Sequence, residues 1–402
     1  MSSHYSFVDL IAPYDVEDFF QKHWETQFLY ISRNTEDYYY DILNYEDLDI
    51  FLQNKRLTID NDRFVIVKDG EYLSYNQWAT YLRSNQYLID NDKMYVLLNQ
   101  GATLVINGVD KKIPKLINFC SALERELKFR LRANVYITPP NAQGFAAHYD
   151  DHDVFIMQIS GTKIWQLYDA PIELPSRQPD QKTGKHVLET PEFEVELNPG
   201  DLLYIPRGII HQAFTTATTS IHITLGLLPT YWFELLREVA TLAQESPSFR
   251  KAIPHGFTND DQKRIFKKEF LQLTQTLIGH LNIDELLEKE ADQFMIERTS
   301  EDQGRFIDLM QIGQINLDSV LSKRKNIVFK VEKDDKNIHI KFYQKTLTFP
   351  AFLISSLHTI LWEEYFSIRD IGGLINDEGR IELATKFIRE GFLKIEKIHT
   401  ID

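Results

Sequence analysis

Four short apolar runs do most to limit what this chain can fold into: Phe64 to Val67, Asn134 to Ile137, Val154 to Ile159 and Ile221 to Leu225. Each is of strand length, and Gly, Pro and Asn/Asp clusters separate them. Such runs with turn chemistry between them predict an antiparallel sandwich or barrel over residues 1–228. Two helices are expected beside it, one near Val16 to Trp24 with Asp15 as its cap, the other near Pro114 to Leu131.

From Tyr231 to Glu297 the period changes. Phe233, Leu236, Val239 and Leu242 recur at helical spacing, as do Phe266, Phe270, Leu273, Leu277 and Leu281, and Pro247 and Pro254 divide the region. From Phe306 the pattern mixes again. Strand-like runs at Asn326 to Val331 and Ile338 to Tyr343 flank a polar turn at Lys333 to Asn337. Helical stretches follow at Ala351 to Leu361 and after Ser367, and Thr385 to Ile395 reads as helix, Gly391 turn and strand. Short helices with a β-ribbon suit a winged helix, and equally any small α+β domain. The expected organisation is three domains: 1–228, 229–305 and 306–402.

With 59 acidic against 44 basic residues the net charge is −15, which fits a basic peptide or protein partner better than nucleic acid. Residues 301–402 carry 15 basic and 16 acidic side chains, so the surplus lies in the first 300 and direct DNA binding is not expected. The single cysteine, Cys120, excludes an internal disulfide and a Cys-based zinc site, and is expected as a buried filler. The start of the sequence lacks a secretory pattern and no run is long enough for a membrane span, so a cytoplasmic location is expected.

The chemistry concentrates after Asn134. His148 and Asp150 are two residues apart, which on an extended chain puts both on one face. A second histidine, His211, ends the segment Gly200-Asp-Leu-Leu-Tyr-Ile-Pro206-Arg-Gly208-Ile-Ile-His211. Two imidazoles and one carboxylate can occupy one face of an octahedral Fe(II). The open positions would take a chelating 2-oxoacid and dioxygen. The Gly-x5-Pro-x-Gly-x2-His spacing is similar to the second motif of the cupin barrel. Lys163 follows the Ser160-Gly161 turn and can face the metal from the neighbouring strand, where it would pair with the far carboxylate of 2-oxoglutarate.

Asn134 to Tyr168, with the return at Gly200 to Leu225, resembles the JmjC-type ribosomal oxygenases, Fe(II)- and 2-oxoglutarate-dependent protein hydroxylases of the cupin-like group. Val16 to Trp24 resembles that family's opening helix, and Ser248 to Phe257 its middle helical region. The resemblance implies a double-stranded β-helix (the cupin/JmjC jelly roll), then an α-helical dimerisation module and a winged-helix-like α+β domain. It implies His148, Asp150 and His211 as iron ligands and Lys163 as partner of the cosubstrate carboxylate. Asn134 and Thr224 match positions that contact the cosubstrate, and Tyr136 one that lies against the substrate residue. His222 shares strand parity with Thr224 and is a further candidate for the pocket.

Neighbouring residues are expected to play lesser parts: Asp151 and His152 at the pocket mouth, Asp153 pointing outward into solvent, and Trp165 packing as a wall. The implied cofactors are Fe(II), 2-oxoglutarate and dioxygen. The implied substrate is a basic ribosomal protein, hydroxylated at the β-carbon of a histidine or arginine by a homodimer. Other readings remain open: hydroxylation of a small precursor peptide, for example at an Asp β-carbon; lysine demethylation; and a non-catalytic cupin-like or ribosome-associated binding protein.

Overall fold

The structure, a computed structural model, describes residues 6–53, 57–59, 64–82, 86–176, 190–253, 255, 259–298 and 303–399. Pro254, Gly256 and Phe257, on which parts of the helical reading rest, lie outside the described residues. The described residues fall into two compact units, one of Met1–Leu228, Glu301–Ile327 and Ser356–Asp402, the other of Pro229–Ser300 and Val328–Ser355.

In the first unit the strand Arg130–Thr138 pairs antiparallel with Ser220–Leu228, which pairs with Asp153–Ser160, which pairs with Leu202–Ile205. Three more strands, Thr103–Ile106, Phe64–Lys68 and Glu71–Tyr72, extend this sheet on one side and Leu29–Ile31 on the other, giving eight strands. A smaller sheet holds Phe193–Leu197, Lys163–Leu167 and His211–Phe214. Residues 143–148 add to its edge through bridges from Gln143 to Phe214 and from His148 to His211. Four strands in one layer and three strands plus this edge segment in the other make an antiparallel two-layer barrel, as the strand pattern predicted, of the jelly-roll kind that the resemblance implied.

Alternation along the strands decides what each face carries. Val154, Ile156, Leu203 and Ile205 of the large sheet pack against Trp165, Leu167 and Leu197 of the small one, so these form the barrel's interior. The intervening Phe155, Met157, Leu202 and Tyr204 point the other way, into a core shared with Phe7, Phe19, Leu116, Phe119 and Cys120. Phe19 lies on the helix Val16–Lys22, whose Asp15 cap accepts from two backbone N–H groups. Leu116, Phe119 and Cys120 lie on Pro114–Leu127, a helix that ends four residues before the sequence pattern does because Arg130 already starts a strand. Burial on both faces explains why Ser220–Leu228 reads as a continuous apolar run.

That second core overturns one expectation. Asp153 is buried, not solvated, and accepts a hydrogen bond from the Tyr204 hydroxyl at 2.6 Å. Outward from the barrel here means toward the helical layer. Burial pushes the Asp153 carboxyl up to about 6.

The same unit contains a three-stranded sheet ordered Tyr365–Ser367, Val320–Lys323, Leu393–Lys397, with the helix Asp377–Arg389 before the last strand. The second unit holds the helices Trp232–Ala243, Asp260–Gly279 and Ile283–Glu297 and a meander of Phe329–Lys333, Asn337–Phe342 and Lys345–Pro350. The expected ribbon is present with its turn near Asp334, but its first strand starts at Phe329 and a third strand follows. Lys330, on that first strand, pairs with Asp292 of the helix Ile283–Glu297 at 3.3 Å.

Candidate metal centre

The two histidine-bearing segments are tied together by their backbones. The His211 N–H donates to the His148 carbonyl at 2.8 Å, the His148 N–H returns to His211 at 3.1 Å, and the Gly208 N–H donates to the Asp150 carbonyl at 3.0 Å. Gly208 has φ +92°, and a Cβ there would meet the Ile172 carbonyl oxygen at 2.6 Å, so the Pro-x-Gly turn before His211 requires glycine. Because residue 149 points away from 148 and 150, Tyr149 packs with Tyr168 and Ile210 while His148 and Asp150 turn inward.

One ligand atom from each of His148, Asp150 and His211 lies within 4.8 Å of the others. His211 Nε2 is 3.7 Å from Asp150 Oδ2. The two imidazole Nδ1 atoms sit 2.8 and 3.1 Å from the carbonyls of Ala146 and Ile209 respectively. Since a carbonyl can only accept, both Nδ1 atoms carry hydrogen and both Nε2 atoms present lone pairs. Burial, with His148 nearby, pushes His211 down to about 4, so it is neutral and ready to ligate. Two imidazole nitrogens and one carboxylate, converging from two backbone-paired segments, fit a 2-His-1-carboxylate metal site with an open side.

The same cavity has a second charged feature at its inner end. Lys163 is 4% exposed, and its ammonium donates to Thr138 Oγ1 at 2.9 Å. Thr103, also fully buried, donates to the same oxygen at 3.2 Å. Among the described residues no carboxylate pairs with Lys163, and burial alone pushes it down to about 7. A buried cation without a counter-charge is costly, and an anionic group placed there would relieve the cost.

Tyr136, Thr224, His222 and Trp165 line the cavity with the triad and Lys163. Tyr136 and His222 stack at 4.6 Å with an interplanar angle of 7°, and the edge of Trp165 meets His222 at 5.5 Å. His222 is buried and held well below its usual range by desolvation and by Lys163, so it is a neutral ring. Burial raises the Tyr136 phenol, with the neighbouring Asn134 and Thr224 side chains acting the other way. Asn134 Oδ1 also accepts from the Gly108 N–H at 3.1 Å, and Asn134 is not among the residues that line the cavity. His152 lies off the cavity: its ring covers Gly226, with Nδ1 2.9 Å from Asp151 Oδ1.

Thr138, Thr103 and Phe145 were not singled out by the sequence reading. Thr138 could have been, since it continues the alternation Asn134, Tyr136 on its strand. Thr103 comes from a segment with no motif and is found only by topology, and Phe145, three residues before His148, carries no chemistry of its own to mark it.

A β-jelly roll with this donor set defines the class: a JmjC-type, cupin-like barrel protein. Residues 111–235 match the JmjC domain model. Over 302 residues the chain is 28% identical to the bifunctional lysine-specific demethylase and histidyl-hydroxylase NO66 of Aedes aegypti, covering 71% of this chain and 46% of the relative. It is 32% identical over 269 residues to the protein of the same name from Dictyostelium discoideum, covering 62% and 49%. It is 27% identical over 318 residues to human ribosomal oxygenase 1, covering 71% and 46%. The chain thus spans about half the length of these curated relatives. The fold is shared with Escherichia coli YcfD at a TM-score of 0.56 and 16% identity, over 95% of this chain and 98% of that one. A second structure of that protein, described as a ribosomal oxygenase, gives 0.53 and 15%, with the same coverage. The chain is a JmjC-domain protein related to the ribosomal oxygenases, as the resemblance implied.

Proposed function

We propose that this chain is an Fe(II)- and 2-oxoglutarate-dependent protein hydroxylase acting on a side chain of a ribosomal protein. The observation that carries this reading is the pairing, in one cavity, of a preorganised His148, Asp150, His211 donor set with the buried, counter-charge-free Lys163. Iron fits the donor set, and the distal carboxylate of 2-oxoglutarate fits the lysine. When bound, the iron supplies the oxidative chemistry that couples decarboxylation of the cosubstrate by dioxygen to insertion of oxygen into a C–H bond.

The chain's own residues do the rest. His148 and His211 offer Nε2 because backbone carbonyls hold their Nδ1 hydrogens. Asp150 supplies the one negative ligand, which leaves the site net positive toward an anionic cosubstrate. Lys163, steadied by Thr138, orients the far carboxylate, and Thr224 contacts the cosubstrate near the Tyr136 hydroxyl, with Asn134 behind the cavity wall. Ile156 and Trp165 exclude water from the inner cavity. Tyr136 and the neutral His222 form the stacked wall against which the target side chain lies.

Histidine is the favoured target, with arginine next, because relatives at 28% and 32% identity are named histidyl-hydroxylases. Those names also include lysine-specific demethylase, which supports N-methyl oxidation as a second reading for the same site. The helices in residues 229–305 serve as a dimerisation module, a role supported by the exposed Trp232 and Leu236 on Trp232–Ala243. Residues 306–402 act as a winged-helix-like domain that engages protein, not DNA, and the enzyme works in the cytoplasm.

The test is to incubate the protein with iron, 2-oxoglutarate and ribosomal proteins and search by mass spectrometry for the gain of one oxygen atom. A gain on a histidine or arginine, absent with His148→Ala, is expected. Loss of an N-methyl group would favour demethylation, and a gain only on a short peptide the precursor-peptide reading. No change on any substrate, with cosubstrate binding intact, would contradict an enzymatic function.

A further inference from the structure

The cavity opens past the triad into a wider cleft whose outer wall comes from outside the jelly roll. Val65, Tyr72, Tyr75, Tyr136 and Phe145 line it, with His148 and Asp150 at its floor. Tyr72 arrives there on a tight hairpin. Phe64–Lys68 and Glu71–Tyr72 pair with Lys68 opposite Glu71, leaving Asp69 and Gly70 as a two-residue turn. Both turn residues have positive φ, 52° and 81°, which is the type I′ geometry that Asp-Gly favours.

The tip of this hairpin is docked onto the metal-ligand segment. The Gly70 N–H donates to the Gly144 carbonyl at 2.9 Å, and Gly70 forms a parallel bridge with Phe145. A Cβ at position 70 would meet the Cβ of Ala146 at 3.0 Å, so the approach is as close as it is because residue 70 is glycine. The result sets Tyr72 5.5 Å from Phe145, ring to ring, at 58°. Phe145 in turn meets Tyr136 at 6.2 Å and the ligand His148 at 5.6 Å. Tyr72 is 68% exposed, an apolar ring turned toward water beside the cleft. Two rings in contact at this angle form an aromatic wall along the cleft, which suits a flat side chain that can meet one ring face-on and the other by its edge.

We propose that Tyr72, delivered by the Asp69-Gly70 hairpin, is a substrate-contacting specificity residue that forms with Phe145 the aromatic wall against which the target side chain is held over the metal position. The inference rests on the hydroxylase reading above. It adds that selectivity for a planar side chain comes from a loop outside the barrel. An aliphatic side chain of similar size lacks the face that this wall would stack against.

The full chain, loaded with Mn(II) and 2-oxoglutarate, can be probed by the paramagnetic relaxation of N-acetylhistidine, N-acetylarginine and N-acetylleucine methylamides. The histidine and arginine probes are expected to relax faster than the leucine probe by about threefold, the scale of a single ring-stacking contact. Tyr72→Ala should remove the excess and Tyr72→Phe should keep it. Because Tyr72 is exposed, the alanine variant should fold as the parent does. Equal relaxation of the three probes, or an excess that survives Tyr72→Ala, would overturn the proposal. Failure of the parent protein to bind manganese would instead overturn the metal reading on which it rests.

Discussion

At the outer end of the cavity, both ligand imidazoles are oriented before any ligand arrives. His148 and His211 direct their Nδ1 hydrogens to backbone carbonyls, and the strands that carry them are cross-linked by main-chain hydrogen bonds. At the inner end, Lys163 is buried with the Thr138 hydroxyl as its hydrogen-bond partner and, among the described residues, no carboxylate beside it. The outer end is preorganised and comfortable when empty. The inner end is strained electrostatically until an anion reaches it. The contrast separates geometry from charge: one end fixes where a metal goes, and the other makes binding of the cosubstrate favourable.

Lys163→Met breaks the contrast most directly. Removing one partner of a buried ion pair costs a few kcal/mol, so 2-oxoglutarate affinity should fall by roughly 100-fold in calorimetry of the metal-loaded protein. The cosubstrate-free variant should be no less stable than the parent. The parent's stability should also respond to pH in a defined sense. Below about 7 both folded and unfolded chains carry the Lys163 charge, and burying it is unfavourable. Between about 7 and the ordinary lysine value the unfolded chain binds the extra proton, so stability rises with pH across that window. Thermal melts from about pH 6 to 10 should show this rise in the parent, a flatter profile in Lys163→Met, and a weaker rise with 2-oxoglutarate present, because the anion keeps the lysine charged.

Gly161→Ala sharpens the geometric side. Gly161 has φ +60°, and a Cβ there would sit 1.8 Å from the Thr219 carbonyl oxygen. The turn must shift, at a cost of roughly 1–3 kcal/mol or more in denaturant unfolding. Because Lys163 begins the strand two residues later, cosubstrate binding should weaken too. The smallest effect is expected at Asp153→Asn, outside the cavity. Asp153 is held up to about 6, so the parent's stability should fall as pH rises from about 4 to about 6, when the unfolded carboxyl ionises and the folded one does not. The asparagine variant should lose that slope, gain roughly 1–2 kcal/mol at pH 7 and keep its cosubstrate affinity.

The site was legible in the sequence where its chemistry follows strand alternation. His148 and Asp150 lie where period-two reasoning puts them, and they share one cavity with Lys163, Tyr136 and Thr224, whose roles the resemblance implied, and with His222; Asn134, on the strand face of Tyr136, does not line it. Alternation misled at Asp153 because it specifies a face and not what covers that face; here helices bury it. It was silent on Thr103, Phe145 and Tyr72, which reach the cavity or its cleft through sheet extension and a docked hairpin. The Asp69-Gly70 pair was a readable turn signal, but nothing local says that its hairpin lies against the segment before His148. In the C-terminal part, the ribbon and the final helix–turn–strand were legible from periodicity, whereas the third strand Lys345–Pro350 was not, its alternation being short and ending in proline.

The central claim is that one cavity holds iron at His148, Asp150 and His211 and the 2-oxoacid against Lys163. Anaerobic titration with Fe(II) and 2-oxoglutarate, followed by the visible charge-transfer absorption of a 2-oxoacid chelated to iron, tests it most directly. The parent protein should develop the band with both components present. His148→Ala and Asp150→Ala should not, while remaining folded, and Lys163→Met should need roughly 100-fold more cosubstrate. A band that forms equally well in His148→Ala, or that ignores Lys163→Met, would contradict the account.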